Sequence, residues 1–182
     1  MTEAAVFLDR DGVINRRRPD HVKSWAEFEF LPEALEGLRE IKRMGAPVVV
    51  VTNQSAVGRG LLSEADLAAI HERMRSEITA AGGRIDAIYA CLHTPAHGCE
   101  CRKPAPGLLR RATAELGLRI EGSVMVGDSA SDLEAARAAG CTAVLLADDL
   151  VDGGRSEVPT ARDLLQAASL VAGLLERLQP KC

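Results

Sequence analysis

The sequence predicts an α/β chain: a mostly parallel sheet held between two helix layers, a three-layer α/β/α sandwich. Two observations predict it. Short apolar runs alternate with longer stretches of helical periodicity. Those runs are uniformly apolar, as strands covered on both faces must be. Hydrophobic residues make up 47% of 182 positions, enough to bury a core in one domain over 1–182. Aromatics are only 3%, so Ala, Val, Leu and Ile must build that core.

The elements follow in order. Residues 4–8 are a buried strand. Residues 32–44 carry Leu35, Leu38, Ile41 and Met44 at helical spacing, and Gly45 ends that helix. Residues 47–51 are a β-branched strand. Ser63 opens a helix to about Ala81, with Asp66 three positions on as an acidic relative of the capping box, and Gly82-Gly83 stop it. A strand over 85–90 leads into a loop over 91–106. A helix over 108–116 ends at Gly117, a strand covers 124–126, and a helix over 131–139 ends at Gly140. A last strand covers 143–146, and Gly153-Gly154 reads as a turn. The helix over 164–178 gathers Leu164, Leu165, Ala168, Val171, Leu174, Leu175 and Leu178 on one side, and is expected to pack on the sheet. The alternation is Rossmann-like.

Charge and composition exclude some classes. The net charge of -4 lacks the basic footprint of a nucleic-acid binder, and few aromatics argue against base stacking. Met1-Thr2-Glu3 is not a basic leader and no apolar run spans a bilayer, so a cytoplasmic monomer without membrane contact is expected. The five cysteines are unevenly placed: Cys91, Cys99 and Cys101 cluster, while Cys141 reads as core and Cys182 as tail. In such a compartment clustering points to metal before disulfide.

In parallel sheets, ligands bind beyond the carboxyl ends of the strands. Polar groups fall there repeatedly: Asp9, Arg10, Asp11 and Gly12 after one strand, Thr52, Asn53, Gln54 and Ser55 after another, Cys91 and His93 after a third, Gly127, Asp128 and Ser129 after a fourth. Loops are polar anyway, but carboxylates gathered from separate strand ends repel one another unless a cation joins them. If the chain stays extended, Asp9 and Asp11 point to one side, and Asp128 completes an oxygen-rich pocket suited to Mg²⁺. One aspartate could then attack phosphorus while the other moves protons. The same pair could instead only cap a turn. Thr52 and Asn53 could hold phosphate oxygens or form an ordinary turn. Arg102-Lys103, before Pro104 and Pro106, could grip an oxyanion or be a solvated pair.

Together these motifs resemble the haloacid dehalogenase (HAD) superfamily. Phe7-Leu8-Asp9-Arg10-Asp11-Gly12-Val13-Ile14-Asn15 resembles its first motif and Thr52 its second. Lys103 in Cys-Arg-Lys-Pro-Ala-Pro-Gly resembles the third, and Gly127-Asp128-Ser129-Ala130-Ser131-Asp132 the fourth. The resemblance covers roughly residues 4–147. It implies that Asp9 is a phosphorylated nucleophile and Asp11 the general acid/base. It implies that Thr52 and Lys103 hold the phosphoryl group, and that Asp9, the Asp11 carbonyl and Asp128 ligate catalytic Mg²⁺, with Asp132 supporting them. An acid at Asp11 favours phosphoryl transfer over dehalogenation.

Forty residues separate Asp11 from Thr52, and one helix takes most of them, so no large cap domain fits. Cys91, His93, Cys99 and Cys101 match a closed, structural zinc set that would staple the loop, with His97 a competing ligand. This arrangement resembles the capless bacterial subgroup that includes heptose-bisphosphate and histidinol-phosphate phosphatases. That implies a small phosphorylated metabolite, a sugar bisphosphate, as substrate, contacted by Asn53, Gln54, Ser55, Arg59 and Arg102. The Asn15–Val22 loop would face it, and Arg16-Arg17-Arg18 would suit a second phosphate. Three features depart from the usual heptose pattern: a short stretch between His93 and Cys99, Ser129 in place of a lysine, and arginines in the Asn15–Val22 loop. The alternatives are a histidinol-phosphate phosphatase, a phosphatase of nucleic-acid ends, and a zinc-stabilised binding domain without catalysis.

Overall fold

Each buried strand ends in a loop that carries polar groups, and the order of the strands decides which of these loops meet. A computed structural model describes residues 3–147 and 158–178. Its elements are β1 (Ala4–Leu8), α1 (Ala34–Arg43), β2 (Val48–Asn53), α2 (Ser55–Gly58), α3 (Glu64–Ala80), β3 (Ala87–Cys91), α4 (Gly107–Leu116), β4 (Arg119–Gly127), α5 (Ala130–Ala139), β5 (Thr142–Leu146), β6 (Thr160–Ala161) and α6 (Leu164–Leu178). The six strands form one parallel sheet in the order β3-β2-β1-β4-β5-β6.

Alternation along the strands divides the core into two layers. Ala5, Phe7, Val49, Val51 and Met125 pack against Leu108, Leu109 and Ala112 of α4 and Ala135 and Ala136 of α5. Val6, Leu8, Val48, Val50, Val124 and Val126 pack on the side of α1, α3 and α6. Both faces are therefore covered, and the central strands can be apolar throughout.

From β1 the chain moves outward to β2 and β3. It then returns through α4 to β4, on the other side of β1. The connections reverse between β1 and β4, and a crevice opens at their carboxyl ends. Asp9 and Asp128 lie there, just beyond the paired Leu8 and Val126.

Several boundaries differ from the sequence reading. β4 starts at Arg119, because Arg119, Glu121 and Gly122 hide a strand whose first pair, Ala4↔Arg119, is followed by a register shift. β3 runs on to Cys91, so the first thiol is anchored on the sheet. β6 has two residues and no apolar run to signal it. α2 is a single turn where only polar loop residues were expected. Ser63 caps α3 as expected, its Oγ accepting from the Asp66 N–H at 3.0 Å. α6 buries Leu164, Ala167, Ala168, Val171 and Leu175, while Leu178 is exposed. Trp25 stacks on Phe28 at 4.7 Å and takes the Arg73 guanidinium on its ring, tying residues 25–30 to α3. Cys141 is buried, and Gly153-Gly154 and Cys182 lie outside the described residues. Among the described residues no helix is long and apolar enough to cross a membrane.

Candidate active site

Four strand-end segments converge in the crevice. Asp9, at the end of β1, is buried, and its Oδ1 accepts from the Arg10 N–H at 2.7 Å and from Lys103 Nζ at 2.9 Å. Lys103 is buried too. Its ammonium also meets Asp132 Oδ1 at 2.6 Å and the Val51 carbonyl at 2.8 Å. Burial raises the Asp9 carboxyl above its ordinary value; Lys103 opposes this, and Asp132 and Asp11 add to it. Burial alone would lower the Lys103 ammonium, but Asp9 and Asp132 outweigh it and raise it.

The backbone of Lys103 is clamped by one side chain. Asn53 Nδ2 donates to the Lys103 carbonyl at 3.0 Å, and the Lys103 N–H donates to Asn53 Oδ1 at 3.1 Å. The amide of Asn53 is thus committed to placing the lysine. Gln54 is committed likewise: Nε2 donates to Asp11 Oδ2 at 2.7 Å and to Thr52 Oγ1 at 3.0 Å. Thr52 and Ser55 are buried at the same edge. Arg59 is exposed, and the Arg102 guanidinium donates to the His93 carbonyl at 3.2 Å.

The chain bends after Asp9, so the two motif aspartates face different partners. Asp11 accepts two bonds from Arg10 Nη2, at 2.9 and 3.0 Å, and one from Asn15 Nδ2 at 2.8 Å, besides that from Gln54. Burial would raise the Asp11 carboxyl, but the Arg10 charge and these bonds outweigh it and hold it below the usual carboxylate range.

Asp128 lies opposite, across Gly12. A Cβ at Gly12 would sit 1.8 Å from Asp128 Oδ2, and its φ of +91° suits only glycine. Burial pushes the Asp128 carboxyl up to about 6, against the pull of Arg17. Arg17 Nη2 meets Asp128 Oδ1 at 2.7 Å. It alone of the three neighbouring arginines reaches the site, since Arg16 pairs with Glu29 and Arg18 with Asp20. Beside this pair runs an open cavity of about 620 Å³, lined by Gly12, Val13, Arg17, Leu31, Asp128 and Arg162 among others. Asp132 caps α5, its Oδ2 accepting from the N–H groups of Asp128 and Ser129 at 3.2 Å each.

Ligand oxygens of Asp9, Asp128 and Asp132 lie within 4.8 Å of one another. These are hard oxygen donors, so the set fits a small divalent cation such as Mg²⁺. Cys91, His93, Cys99 and Cys101 form the other group of this kind among the described residues. Their sulfurs are 3.2 to 3.6 Å apart, and His93 Nδ1 is 3.3 Å from Cys101. Thiolates and imidazole at such spacing fit Zn²⁺. His97 is outside this set; its Nδ1 bonds the Thr94 hydroxyl at 2.8 Å.

Comparison with known proteins bears on this geometry. Over 146 residues the chain is 42% identical to D-glycero-beta-D-manno-heptose-1,7-bisphosphate 7-phosphatase of Pseudomonas aeruginosa, covering 80% of this chain and 82% of that protein. The chain belongs to the HAD-like hydrolases. A HAD-hydrolase-like family model matches residues 100–171 of this HAD-like phosphatase. A second relative, D-glycero-alpha-D-manno-heptose-1,7-bisphosphate 7-phosphatase of Mycobacterium bovis, is 43% identical and covers 76% of this chain and 77% of that one. The crystal structure of D,D-heptose 1,7-bisphosphate phosphatase from B. bronchiseptica, complexed with magnesium and phosphate, matches with a TM-score of 0.85. It is 38% identical, over 93% of this chain and 98% of that one.

The motif reading of this HAD-like phosphatase overlooked what two buried side chains do, Arg10 and His71; Asn15, expected with its loop to face the substrate, is buried and bonds Asp11. Arg10 stood in a quoted motif, but nothing in the sequence marks an arginine between two acids as buried. His71 lies mid-helix, 61 residues away, and carried no local signal.

Proposed function

We propose that this HAD-like phosphatase removes the 7-phosphate of a D-glycero-D-manno-heptose 1,7-bisphosphate through a phosphorylated Asp9. The observation that carries the chemistry is the Lys103 ammonium set 2.9 Å from Asp9 Oδ1, at the strand switch point. The substrate rests on likeness to the named relatives. Those of the alpha and beta anomers are equally similar, so the anomer is left to experiment.

Asp9 attacks phosphorus, and the P–O bond to the sugar breaks as the new P–O bond forms. Lys103 neutralises the nucleophile and a phosphoryl oxygen together. Thr52 Oγ1 already accepts a bond from Gln54, which leaves its own hydrogen to donate to a second phosphoryl oxygen. The leaving alkoxide takes its proton from Asp11; water then attacks phosphorus, gives its proton to Asp11, and frees Asp9. Asp11 rests ionised, but an incoming phosphate dianion repels its carboxylate and raises its proton affinity. Asp9, Asp128 and the Asp11 carbonyl would hold Mg²⁺, which when bound supplies charge neutralisation between carboxylates and phosphate. Cys91, His93, Cys99 and Cys101 would hold a structural Zn²⁺, steadying the loop that delivers Lys103.

The test is phosphate release with Mg²⁺ from both anomers of heptose 1,7-bisphosphate, beside histidinol phosphate. Preference for a heptose anomer is expected, and preference for histidinol phosphate would overturn the substrate assignment. Asp9→Asn should abolish release, and retained turnover would remove Asp9 as nucleophile.

A further inference from the structure

Among the described residues, one of the largest side chains sealed from solvent is charged: Arg10 has 0% exposure. Burying a guanidinium is expensive, and an apolar residue of similar size would serve folding at least as well. Its partners are therefore informative. Nη2 forks onto both oxygens of Asp11, at 2.9 and 3.0 Å. Nη1 lies 3.0 Å from Nε2 of His71, on α3. Nε has no partner. The guanidinium is thus held by one histidine at Nη1 and meets one carboxylate through Nη2 alone.

We infer that His71 and Arg10 form a buried strut that sets the orientation of Asp11, making both of them positioning residues for proton transfer to the leaving group. The inference rests on the reading of Asp11 as the general acid.

The chemistry of the contact assigns its polarity. A guanidinium only donates, so His71 Nε2 accepts and the imidazole hydrogen sits on Nδ1. Burial, reinforced by the neighbouring Arg10 charge, pushes His71 down to about 3, so the ring stays neutral and able to accept. The geometry gives the strut its purpose. The terminal torsion of an aspartate is soft, and a carboxyl left alone sweeps over a broad range. Nη2 sits between the two oxygens, which turns the open side of the carboxyl towards that one nitrogen. Nη2 is aimed only as well as Nη1 on its far side is anchored, and that side rests on a helix of seventeen residues packed on the sheet.

A positioning role and a merely structural role separate on the leaving group. An alkoxide needs a proton to depart, whereas 4-nitrophenolate does not, so only the alkyl ester feels a misaligned acid. The value of kcat/KM reports the steps through departure of the leaving group and is blind to later hydrolysis of the phosphorylated enzyme. The experiment measures kcat/KM with Mg²⁺ on heptose 1,7-bisphosphate (histidinol phosphate if the wild type prefers it) and on 4-nitrophenyl phosphate. The readout is the alkyl-to-aryl ratio.

Asp11→Asn sets the scale, with the ratio expected to fall roughly 10²–10⁴-fold. His71→Leu, which fills the space but cannot accept, should lower the ratio roughly tenfold, a fraction of that range. His71→Gln, whose amide oxygen can accept from Arg10, should keep the ratio within about twofold of wild type. Thermal unfolding of each variant verifies folding. Should His71→Leu not fold, Arg10→Lys carries the test, since it keeps the charge and loses the second nitrogen that joins His71 to Asp11. Equal losses on both esters, or no loss on either, would overturn the strut. An unchanged ratio in Asp11→Asn would instead overturn Asp11 as the acid and the strut with it, and this failure is visible in that variant alone.

Discussion

Replacing Cys99 with Ser tests the zinc reading of the loop between β3 and α4. With zinc–sulfur bonds of about 2.3 Å and zinc–nitrogen of about 2.0–2.1 Å, a regular tetrahedron has sulfur–sulfur edges near 3.8 Å and sulfur–nitrogen edges near 3.5–3.6 Å. The sulfur–sulfur edges here are 3.2, 3.4 and 3.6 Å, and the sulfur–nitrogen edges to Cys101 and Cys91 are 3.3 and 3.8 Å. A mean sulfur edge of about 3.4 Å puts each sulfur about 2.1 Å from the centre, so an ion fits after outward shifts of about 0.2 Å. Purified protein should therefore carry one zinc per chain, and Cys99→Ser should lose it. Zinc at about a thousand times its dissociation constant stabilises by about 4 kcal/mol. For a chain of this size that is a rise in melting midpoint of roughly 8–16 °C. Because the loop delivers Lys103, the variant should also lose roughly 10²-fold in kcat/KM, the penalty for a displacement of about 1 Å. The assays are elemental analysis, thermal unfolding with and without zinc, and steady-state kinetics. A zinc-free wild type that keeps full activity, and whose melting midpoint zinc does not move, would refute the reasoning.

Lys103→Met removes the buried cation between Asp9 and Asp132 and should cost about 3–5 kcal/mol of stability in urea unfolding. The same change should lower kcat about 10²–10³-fold, as loss of a charged donor to the transferring group does. The raised Asp128 carboxyl makes Mg²⁺ compete with a proton below about pH 6. Affinity should rise as the pH is raised through about 6; calorimetric titration showing no change across that window would contradict it. Protonation of the folded Asp128 near 6, against 3.8 as the ordinary value, also means that its contribution favours folding below 3.8 and fades as pH rises towards 6. Arg17→Ala should tighten Mg²⁺ by no more than about fivefold, since the displaced ion pair has a 56% exposed arginine and is worth about 1 kcal/mol or less; a larger gain would show that Arg17 blocks the site.

What the sequence made legible follows from where each signal resides. Uniformly apolar runs such as Val48–Val51 announce buried parallel strands, because period and composition are local properties. The placement of Asp9, Thr52 and Asp128 at one edge followed from topology, since every strand in a parallel sheet ends on the same side. What escaped was set by tertiary pairing. Two residues at Thr160–Ala161 become a strand only because β5 offers an edge, and Leu145 pairs with Thr160. Asn53 read as a phosphate ligand because an amide at a strand end is free in the sequence; in the fold the Lys103 backbone, fifty residues on, takes both of its ends. The Arg16–Arg18 run looked like one anion site, but successive side chains diverge, and only Arg17 turns inward.

Two carboxyls at one strand end now stand in an order opposite to their assigned roles. Asp9 must be ionised to attack, yet burial raises it; Asp11 must carry a proton to donate, yet Arg10 holds it low. Loading the site reverses both. A divalent cation beside Asp9 and Asp128 favours their ionised forms, as a nearby positive charge does to any carboxylate. A phosphate dianion approaching Asp11 adds negative charge beside a group already ringed by donors, and favours its protonated form. Cation and phosphate together thus favour the protonation states that the two proposed roles need. Asp11 would then be the residue whose titration shifts most between the free and the phosphate-bound protein, and the one most in need of a rigid anchor, because its hydrogen bonds must survive a change of charge. A buried guanidinium that joins His71 through Nη1 to Asp11 through Nη2 is the kind of anchor that meets this need.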